Sequence, residues 1–398
     1  MQADKNTSIF LKSYDRSKWE TVKLGDIVEI ISGGTPKTDT VAYWDGDIPW
    51  CTPTDITSNS NKYIHRTERN ITEKGLANSA ARLLPKNTLL LCSRATIGAV
   101  KIAGQSMCTN QGFKNLVCKE KISHEFLFYY IPKLKAQMLS QASGSTFLEI
   151  SKAKLANIEL EIPCDIEEQN FIANTLAAID NHINNLESKI SKYENIKKST
   201  EKMLLTPKAD WQQVRLGDIV DYYKGCGLSK EKLSSNGNYP CILYGELFTK
   251  YNEIIDEVQS KTFITEGFSS FYDDVLLPGS TTTCGEDLIK ASAILQDDVL
   301  LGGDIIVLRP NKRIVCGRFL AYLISQYKKD ILKYTQGITI IHLQGHKMMD
   351  LQIKIPNLVV QRDIVNNIIK IDEHLKQLRY ILDKLCNIKT GMMSYFFG

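Results

Sequence analysis

Two segments of the chain carry apolar residues at alternating intervals of four and three positions, which is the spacing of a heptad seam. Each segment holds enough apolar positions for about three heptads of helix. The first seam consists of Ile172, Leu176, Ile179, Ile183, Leu186, Ile190 and Tyr193, and the second of Ile364, Ile368, Ile371, Leu375, Leu378, Leu382 and Leu385. An apolar stripe of this kind must be covered, so the pattern predicts two long helices with buried seams.

Three arrangements would bury these seams: packing of each helix on its own globular unit, dimerisation of the chain, or pairing of the two helices. Two matched seams in one chain favour the pairing. If the helices leave equivalent faces of repeated domains, a pseudo-two-fold axis makes them antiparallel. Residues 172–193 then span about 32 Å at roughly 1.5 Å per residue. This length is close to the roughly 34–36 Å between half-sites one turn apart on DNA.

The heptad segments belong to a longer internal repeat. Residues 19–28 read WETVKLGDIV, and residues 211–220 read WQQVRLGDIV. The copies diverge and then match again, one residue out of register. The later matches pair Gly144, Ile150, Lys154, Ile158 and Pro163 with Gly337, Leu343, Lys347, Leu351 and Pro356. Because a repeat sets the architecture, the sequence predicts two copies of a globular domain followed by a helix.

Each globular copy has the pattern of a mixed α/β domain. Short β-rich runs at 27–31, 88–92 and 115–118 are bounded by turn residues. Helical spacing predicts a helix over 125–141 and its counterpart over 316–333, and strands at 158–162 and 351–355 close the copies. The predicted fold class is α+β: two pseudo-repeated α/β domains joined by two long helices that form an antiparallel coiled coil. The predicted boundaries are an N-terminal segment 1–18, a first domain 19–164, a central spacer helix 165–207, a second domain 208–356 and a C-terminal spacer helix 357–398.

The composition is that of a folded protein: 43% of the 398 residues are hydrophobic and 24% are charged. No apolar run approaches the roughly 20 residues that span a bilayer, and the first 18 residues are polar, so we expect a cytoplasmic protein without a membrane partner. The ten cysteines include no CxxC pair, which favours reduced, mostly buried thiols over a zinc site. A net charge of +4 permits nucleic-acid binding without indicating it.

Catalytic signatures are missing from the sequence, which has no GxxxxGK[ST], GxGxxG, HExxH or GxSxG motif. His342 and His346 are four residues apart, but Gly345 and the β-like run before it argue against a helical metal site. The acidic pairs 273–274 and 297–298 lie at turn positions, where we expect solvated charge. No catalytic residue, metal or cofactor is predicted for this chain.

Polar loops with interspersed cations and aromatics are the candidate DNA contacts, although each loop alone is also typical of an ordinary turn. Arg and Lys can pair with guanine, Asn and Gln with adenine, and hydroxyls with phosphate. For Arg94 an ion pair to a nearby carboxylate is the structural alternative. The candidates in the first copy are Thr35, Lys37, Thr54, Ser93, Arg94, Thr96, Asn110, Gln111 and Lys114. Those in the second are Lys224, Tyr244, Thr281, Thr282, Thr283, Lys290 and His342.

Over essentially its whole length the chain resembles the specificity subunits of Type I restriction-modification systems. The resemblance rests on the W-x-x-V-x-L-G-D-I segment that opens each copy and on motifs inside both copies. These motifs lie at 46–56, 93–98 and 109–114 in the first copy and at 244–247, 290–292 and 302–304 in the second. The approach to the first helix, 150–163 followed by Glu168-Gln169, is also similar to the family. In the second copy Val360-Gln361 departs from that pair.

The resemblance implies a DNA-binding subunit without catalysis of its own. Each domain would read one half of a split, asymmetric site in double-stranded DNA, and the helices would fix the gap. The implied partners are two adenine methyltransferase subunits that use S-adenosylmethionine, and restriction (helicase-nuclease) subunits that use ATP and Mg²⁺. One alternative is a DNA methyltransferase or nuclease with its own catalysis, but the N/D-P-P-Y/F motif is missing. The other is a coiled-coil scaffold that does not contact DNA.

Overall fold

The computed structural model describes residues 16–59, 61–144 and 148–398. The chain divides into two compact units. Unit 1 contains Met1–Asn185 together with Leu382–Gly398, and unit 2 contains Leu186–Ile381. Both long helices therefore contribute residues to both units.

Unit 1 is a mixed α/β unit, as the sequence predicts. Its described strands are β1 (Trp19–Lys23), β2 (Val28–Ser32), β3 (Trp44–Cys51), β4 (Tyr63–Ile64), β5 (Arg69–Ile71), β6 (Leu89–Leu91), β7 (Val100–Ala103), β8 (Cys108–Thr109), β9 (Lys114–Cys118) and β10 (Glu159–Pro163). Its helices are α1 (Leu24–Ile27), α2 (Pro53–Ser58), α3 (Glu73–Ala77), α4 (His124–Gln141), α5 (Lys152–Ala156) and the first half of α6 (Ile166–Leu205).

Unit 2 has a similar order of secondary-structure elements along the chain. Its strands are β11 (Gln212–Arg215), β12 (Val220–Lys224), β13 (Tyr239–Ile242), β14 (Ile254–Ile255), β15 (Ser260–Thr262), β16 (Phe268–Ser269), β17 (Val275–Pro278), β18 (Ser280–Thr281), β19 (Ser292–Ile294), β20 (Leu300–Leu301), β21 (Ile305–Pro310), β22 (Thr335–Gln336), β23 (Ile341–Leu343) and β24 (Gln352–Ile355). Its helices are α7 (Tyr244–Thr249), α8 (Gly317–Ile324), α9 (Lys328–Ile331), α10 (Gly345–Met348) and the first part of α11 (Leu358–Phe397).

The sheets of the two units share one topology. Each unit has a five-stranded sheet, ordered β2-β9-β6-β7-β4 in unit 1 and β12-β21-β17-β19-β14 in unit 2. All pairs in these sheets are antiparallel except the last one, β4–β7 or β14–β19. A second sheet repeats as β5-β3-β8 and as β15-β13-β20 with β16 added. The pairs β1–β10 and β11–β24 close the units. The structure thus confirms the predicted duplication.

The predicted helix over 316–333 is wrong in its extent. The structure has the eight-residue helix α8, a 3-10 turn at Ser325–Tyr327, the short helix α9 and a further 3-10 turn at Leu332–Tyr334. Ser325 donates its hydroxyl to the carbonyl of Tyr322 at 2.7 Å, a local bond that competes with helix continuation. The Tyr327 hydroxyl accepts from the backbone N–H of Lys354 at 2.8 Å, which anchors the chain at the bend.

The two long helices pair antiparallel within each unit, as predicted. In unit 2, Lys197 of α6 contacts Asp372 of α11 at 2.7 Å, and Glu194 contacts Arg379 at 2.7 Å. In unit 1, Asp180 of α6 contacts Lys389 of α11 at 2.5 Å. None of the fourteen predicted seam residues is exposed. Seven of them are buried, namely Ile172, Leu176, Ile190, Ile364, Ile368, Leu375 and Leu378.

A buried glutamine fixes the start of each long helix on its unit. The Gln169 carbonyl accepts from the backbone N–H of Ser123, just before α4, and its amide donates to the carbonyl of Pro163. Gln361 repeats this at Cys316, just before α8, and at Pro356. Both glutamines are fully buried. The departure from Glu-Gln to Val-Gln in the second copy leaves the glutamine's role unchanged.

The acidic pair 273–274 is buried, which overturns the expectation of solvated charge. Asp274 forms an ion pair with Arg309 at 2.8 Å. Asp273 accepts from the backbone N–H groups of Gly317 and Arg318 at 2.7 and 3.1 Å, at the start of α8. Because each carboxylate has partners, burial is tolerated. All ten cysteines lie in the described residues and are unbridged there, but only five are buried, so the expectation of mostly buried thiols holds for half of them.

Candidate nucleic-acid interface

A short three-segment pairing presents Arg94 at the surface of unit 1. Glu149 forms antiparallel bridges to Arg94 on one side and to Ser143 on the other. Two backbone hydrogen bonds of 3.0 Å close the Ser143–Glu149 pair, and Gly144 follows with φ of +141°, a conformation that favours glycine. Next to it, Ile150 donates its N–H to the carbonyl of Ser93 at 3.0 Å. We call Arg94, Ser143 and Glu149 the unit 1 platform.

Unit 2 repeats this platform with different side chains. In the sheet β18-β23-β22, His342 lies opposite Ser280 on one side and Gln336 on the other. Leu343 donates its N–H to the carbonyl of Gly279 at 2.9 Å, as Ile150 does to Ser93. Gly337 has φ of +127°, in the position of Gly144. We call Ser280, Gln336 and His342 the unit 2 platform.

The four candidate loops of the first copy meet beside its platform. The side chains of Thr35 and Gln111 form a hydrogen bond, and the Ser93 hydroxyl donates to the carbonyl of Gly112. Asn110 donates its N–H to the carbonyl of Cys51, just before the segment that carries Thr54. A Cβ at Gly33 would lie 1.9 Å from the carbonyl oxygen of Asn110, so two of these loops approach as closely as glycine allows. The structure therefore gathers segments that are up to 77 residues apart in sequence.

The candidates in unit 1 differ in exposure. Lys37, Thr54, Thr96 and Gln111 are exposed, whereas Thr35, Arg94 and Asn110 are half-buried. Ser93 is fully buried, and Lys114 is buried with its ammonium 2.9 Å from the Glu149 carboxylate. Asn110 accepts from the N–H of Gly112 through its side chain. Ser93, Lys114 and Asn110 thus support the loops here, and a DNA contact by each stays a prediction.

Six of the seven candidates in unit 2 line one cleft of about 950 Å³. They are Tyr244, Thr281, Thr282, Thr283, Lys290 and His342. Lys224 lies with His342 at an adjoining pocket of about 50 Å³. The Thr281 and Thr283 hydroxyls that line the cleft are hydrogen-bonded to each other at 2.8 Å. Thr281 is itself buried, and its contact with DNA stays a prediction.

The charges around this cleft are mixed. Lys328 pairs with Glu286 at 2.7 Å, and Lys290 donates to the carbonyl of Phe248 at 3.3 Å. The Thr283 hydroxyl donates to Asp287, and this bond holds the pKa of that carboxyl below its usual range. Because cations and carboxylates both line it, the cleft is not a uniformly cationic surface.

Ser280, Lys328 and Glu149 were not among the candidates but contribute to this arrangement. Ser280 donates its hydroxyl to Asp304 at 2.5 Å at the cleft, and Lys328 lines it. Glu149 is the central residue of the unit 1 platform. The repeat itself could have indicated Glu149, because the match of Gly144 with Gly337 aligns it with His342.

The described residues contain no group of three or more side chains arranged to hold a metal ion. His342 lies in β23, and His346 lies in the short helix α10. Among the helices of residues 16–59, 61–144 and 148–398, none is long and apolar enough to span a bilayer.

A family model described as "Type I restriction modification DNA specificity domain" matches the chain twice, over residues 16–194 and 208–384. Among curated proteins, the Type I restriction enzyme MjaIX specificity subunit of Methanocaldococcus jannaschii is 36% identical over 236 residues, which cover 54% of each chain. The EcoR124I/EcoR124II specificity subunit of Escherichia coli is 26% identical over 186 residues, or 44% of each chain. The chain thus spans about half the length of the curated relatives it matches.

A solved structure has the same fold. The S subunit of a Type-I restriction-modification system from M. genitalium superposes with a TM-score of 0.62 at 16% sequence identity. The superposition covers 96% of this chain and 96% of that chain.

Proposed function

Since the chain belongs to the family of Type I restriction-modification DNA specificity domains, we propose that it is the sequence-specific DNA-binding subunit of such a system. Each unit reads one half of a bipartite, asymmetric target in double-stranded DNA. The observation that carries this proposal is the pair of platforms, which share a backbone arrangement but carry Arg94 and Glu149 in one unit where the other carries Ser280 and His342. Arg pairs best with guanine. In the unit 2 platform Ser280 is buried with its hydroxyl on Asp304, whereas His342 is exposed, so the two platforms suit different bases.

The proposed subunit directs chemistry that other subunits perform. Two methyltransferase subunits would supply S-adenosylmethionine-dependent methylation, and restriction subunits would use ATP and Mg²⁺. The names of the curated relatives, all specificity subunits of Type I restriction enzymes, support this division of labour. Action on cellular and incoming DNA would place the complex in the cytoplasm.

Exchange of one unit tests the proposal. Residues 19–164 are replaced by the corresponding residues of a relative with a different target, and the methylated sites are mapped by methylome sequencing. We expect one half of the site to change and the other half to stay, because the loops differ while the helices repeat. The reciprocal exchange of residues 208–356 is the control and should change the other half. If either exchange altered both halves, independent reading would be wrong.

DNA binding by the full-length chain distinguishes this proposal from the alternative of a coiled-coil scaffold that does not contact DNA. The full-length chain, alone and together with methyltransferase subunits, is incubated with a random-sequence duplex pool. We expect repeated selection to enrich a split sequence. A scaffold without DNA contact would enrich nothing in either preparation, and that result would contradict the proposal.

A further inference from the structure

The hairpin between β22 and β23 carries an exposed apolar tip. Ile338 is 98% exposed and Ile340 is 49% exposed, although both are large aliphatic side chains. The turn is tightly closed, since a Cβ at Gly337 would lie 1.9 Å from the carbonyl oxygen of Ile340. Gly337 has φ of +127°, and only glycine fits there.

The tip lies at the edge of the candidate DNA cleft. Ile340 lines the cleft, and His342 of the unit 2 platform follows two residues later in the same hairpin. The opposite strand of the platform contributes Ser280 and Thr281, and Thr281 lines the cleft as well. A ligand that contacts the exposed His342 from outside would therefore meet the isoleucines on the same approach.

An isolated exposed aliphatic residue needs no explanation. Ile338 and Ile340 differ from that case, because two exposed aliphatic side chains share one short turn beside the cleft. Leu148, which precedes Glu149 in unit 1 and is 50% exposed, corresponds in register to the half-buried Ile341 and not to this tip.

Resting on the proposed function, we propose that Ile338 acts as an apolar wedge at a base step of the half-site that unit 2 reads, with Ile340 supporting it. Insertion of an aliphatic side chain partly unstacks two neighbouring base pairs and bends the duplex. The cost of unstacking depends on the base step, so the wedge adds sequence preference at a position without hydrogen-bonding readout. DNA is favoured over a protein partner because the tip shares its hairpin with the platform.

Base-stacking fluorescence tests the wedge in the full-length chain. The probe is the duplex that the wild-type chain selects from a random pool, with 2-aminopurine placed in turn at each position of the half-site that unit 2 reads. We expect binding to raise the fluorescence at one step. Ile338→Ala should abolish that rise and weaken binding about tenfold, because the buried aliphatic contact is lost. The salt dependence of binding should stay the same, since no phosphate contact is removed.

A mismatched base pair at the step where Ile338 inserts should restore the DNA affinity of the Ile338→Ala variant. The mismatch already weakens stacking, so the affinity of the Ile338→Ala variant for this duplex should approach that of the wild type. Val359→Ala is the matched control: Val359 is 68% exposed in unit 2, lies on α11 and does not line the cleft. It should leave both affinity and fluorescence unchanged.

Three results would overturn the wedge while leaving DNA recognition intact. The wild type could bind its selected duplex without a fluorescence rise at any step. Ile338→Ala could also match the wild type in affinity and fluorescence. Finally, the variant could keep full DNA affinity but lose co-purification with a methyltransferase subunit, which would assign the tip to a protein partner. Failure of the wild type to select any duplex would instead contradict the proposed function.

Discussion

Arg94 has a defined backbone position and a cationic side chain. Its backbone pairs with Glu149, and the next residue, Ala95, has φ of +59°, which turns the loop sharply after the platform. Its side chain is half-buried, whereas that of Thr96 is exposed. This placement fits the predicted base contact, because a pre-organised arginine loses less freedom when it forms two hydrogen bonds to guanine.

Replacement of Arg94 by Ala should cost about 1–3 kcal/mol of binding free energy and relax specificity at one base pair. Arg94→Lys keeps the charge but not the planar fork, so it should recover little of the loss at that base. The measurement is DNA affinity over a panel of duplexes with single changes in one half-site. Arg66→Ala, an exposed arginine of the same unit, is the control. Uniform weakening of all duplexes, restored by Lys, would identify a phosphate contact instead.

Prediction from sequence was least accurate for the burial and partners of single residues. The Asp273-Asp274 pair suggested solvated turns, but its partners Arg309 and Gly317 lie 35 and 44 residues away in the chain. Ser93 has the polar side chain of a DNA-contacting residue, yet its hydroxyl donates to the backbone carbonyl of Gly112. Non-local hydrogen bonds of this kind leave no periodic signal in a sequence, so burial could not be foreseen for these residues.

At the scale of elements, a Tyr–Asp–Lys cluster joins three helices in each unit. In unit 2 the Tyr322 hydroxyl of α8 donates to Asp372 of α11, which pairs with Lys197 of α6. In unit 1, Tyr129, Asp180 and Lys389 repeat the cluster on α4, α6 and α11. The cluster therefore fixes the paired long helices against the globular part of its own unit.

The unit 2 cluster carries extra negative charge. Lys197 also lies 3.4 Å from Glu201 and 3.6 Å from Glu253. Burial acts to lower the pKa of Lys197, but the carboxylates of Glu253, Asp372 and Glu201 raise it overall. Burial raises the pKa of Glu201, against the lowering effect of Lys197. A group with a raised folded-state pKa stabilises the fold most at low pH, and this contribution is lost as pH rises through the folded-state pKa.

Lys197→Met should therefore be more damaging at pH 8 than at pH 5. Without the ammonium, Glu201, Glu253 and Asp372 repel one another when ionised, and protonation of Glu201 relieves part of the repulsion. Because the cluster is partly exposed, we expect a loss of about 2 kcal/mol at pH 8, less than for a fully buried pair. Denaturant unfolding at both pH values measures the effect. Lys202→Met, at an exposed position of the same helix, is the control, and an equal loss at pH 5 and pH 8 would contradict the charge argument.

Secondary-structure elements were predicted well where one hydrophobic period extended over many residues. The heptad spacing identified both helices and their buried seams, because a coiled-coil seam needs no information from elsewhere in the chain. Residues 316–333 showed helical spacing too, but the side-chain bond from Ser325 to Tyr322 accompanies a break that periodicity cannot reveal. The platforms were not predicted as such, since Ser280 and His342 are 62 residues apart.

At the scale of the whole molecule, each unit is completed by residues from the end of the other copy's helix. Phe396 and Phe397, which end α11, are buried in the core of unit 1 with Ile172 and Leu176. Leu205, which ends α6, is buried in the core of unit 2 with Ile364 and Ile368. Neither globular copy is therefore a complete folding unit with its own helix alone. The matched sequence repeat predicted the pairing of the helices, but not that their ends would complete the opposite cores.

If the helices set the spacing of the half-sites, a change in their length must change the gap. The test adds seven residues to both helices, between Asn185 and Leu186 in α6 and between Ile381 and Leu382 in α11, which are the boundaries of the two units. Seven residues keep the heptad phase, so the seam should persist. The insertion lengthens each helix by about 10 Å at roughly 1.5 Å per residue, which corresponds to about three base pairs at roughly 3.4 Å each.

We expect the lengthened chain to recognise the same two half-sites separated by a gap longer by about three base pairs. Methylome sequencing, or selection from a random duplex pool, reads both the half-sites and the gap. The control adds seven residues to α6 alone, which shifts one seam against the other and should abolish stable binding rather than lengthen the gap. If the doubly lengthened chain still recognised the original gap, helix length would not determine the spacing of the half-sites. Partner subunits would then have to set that spacing.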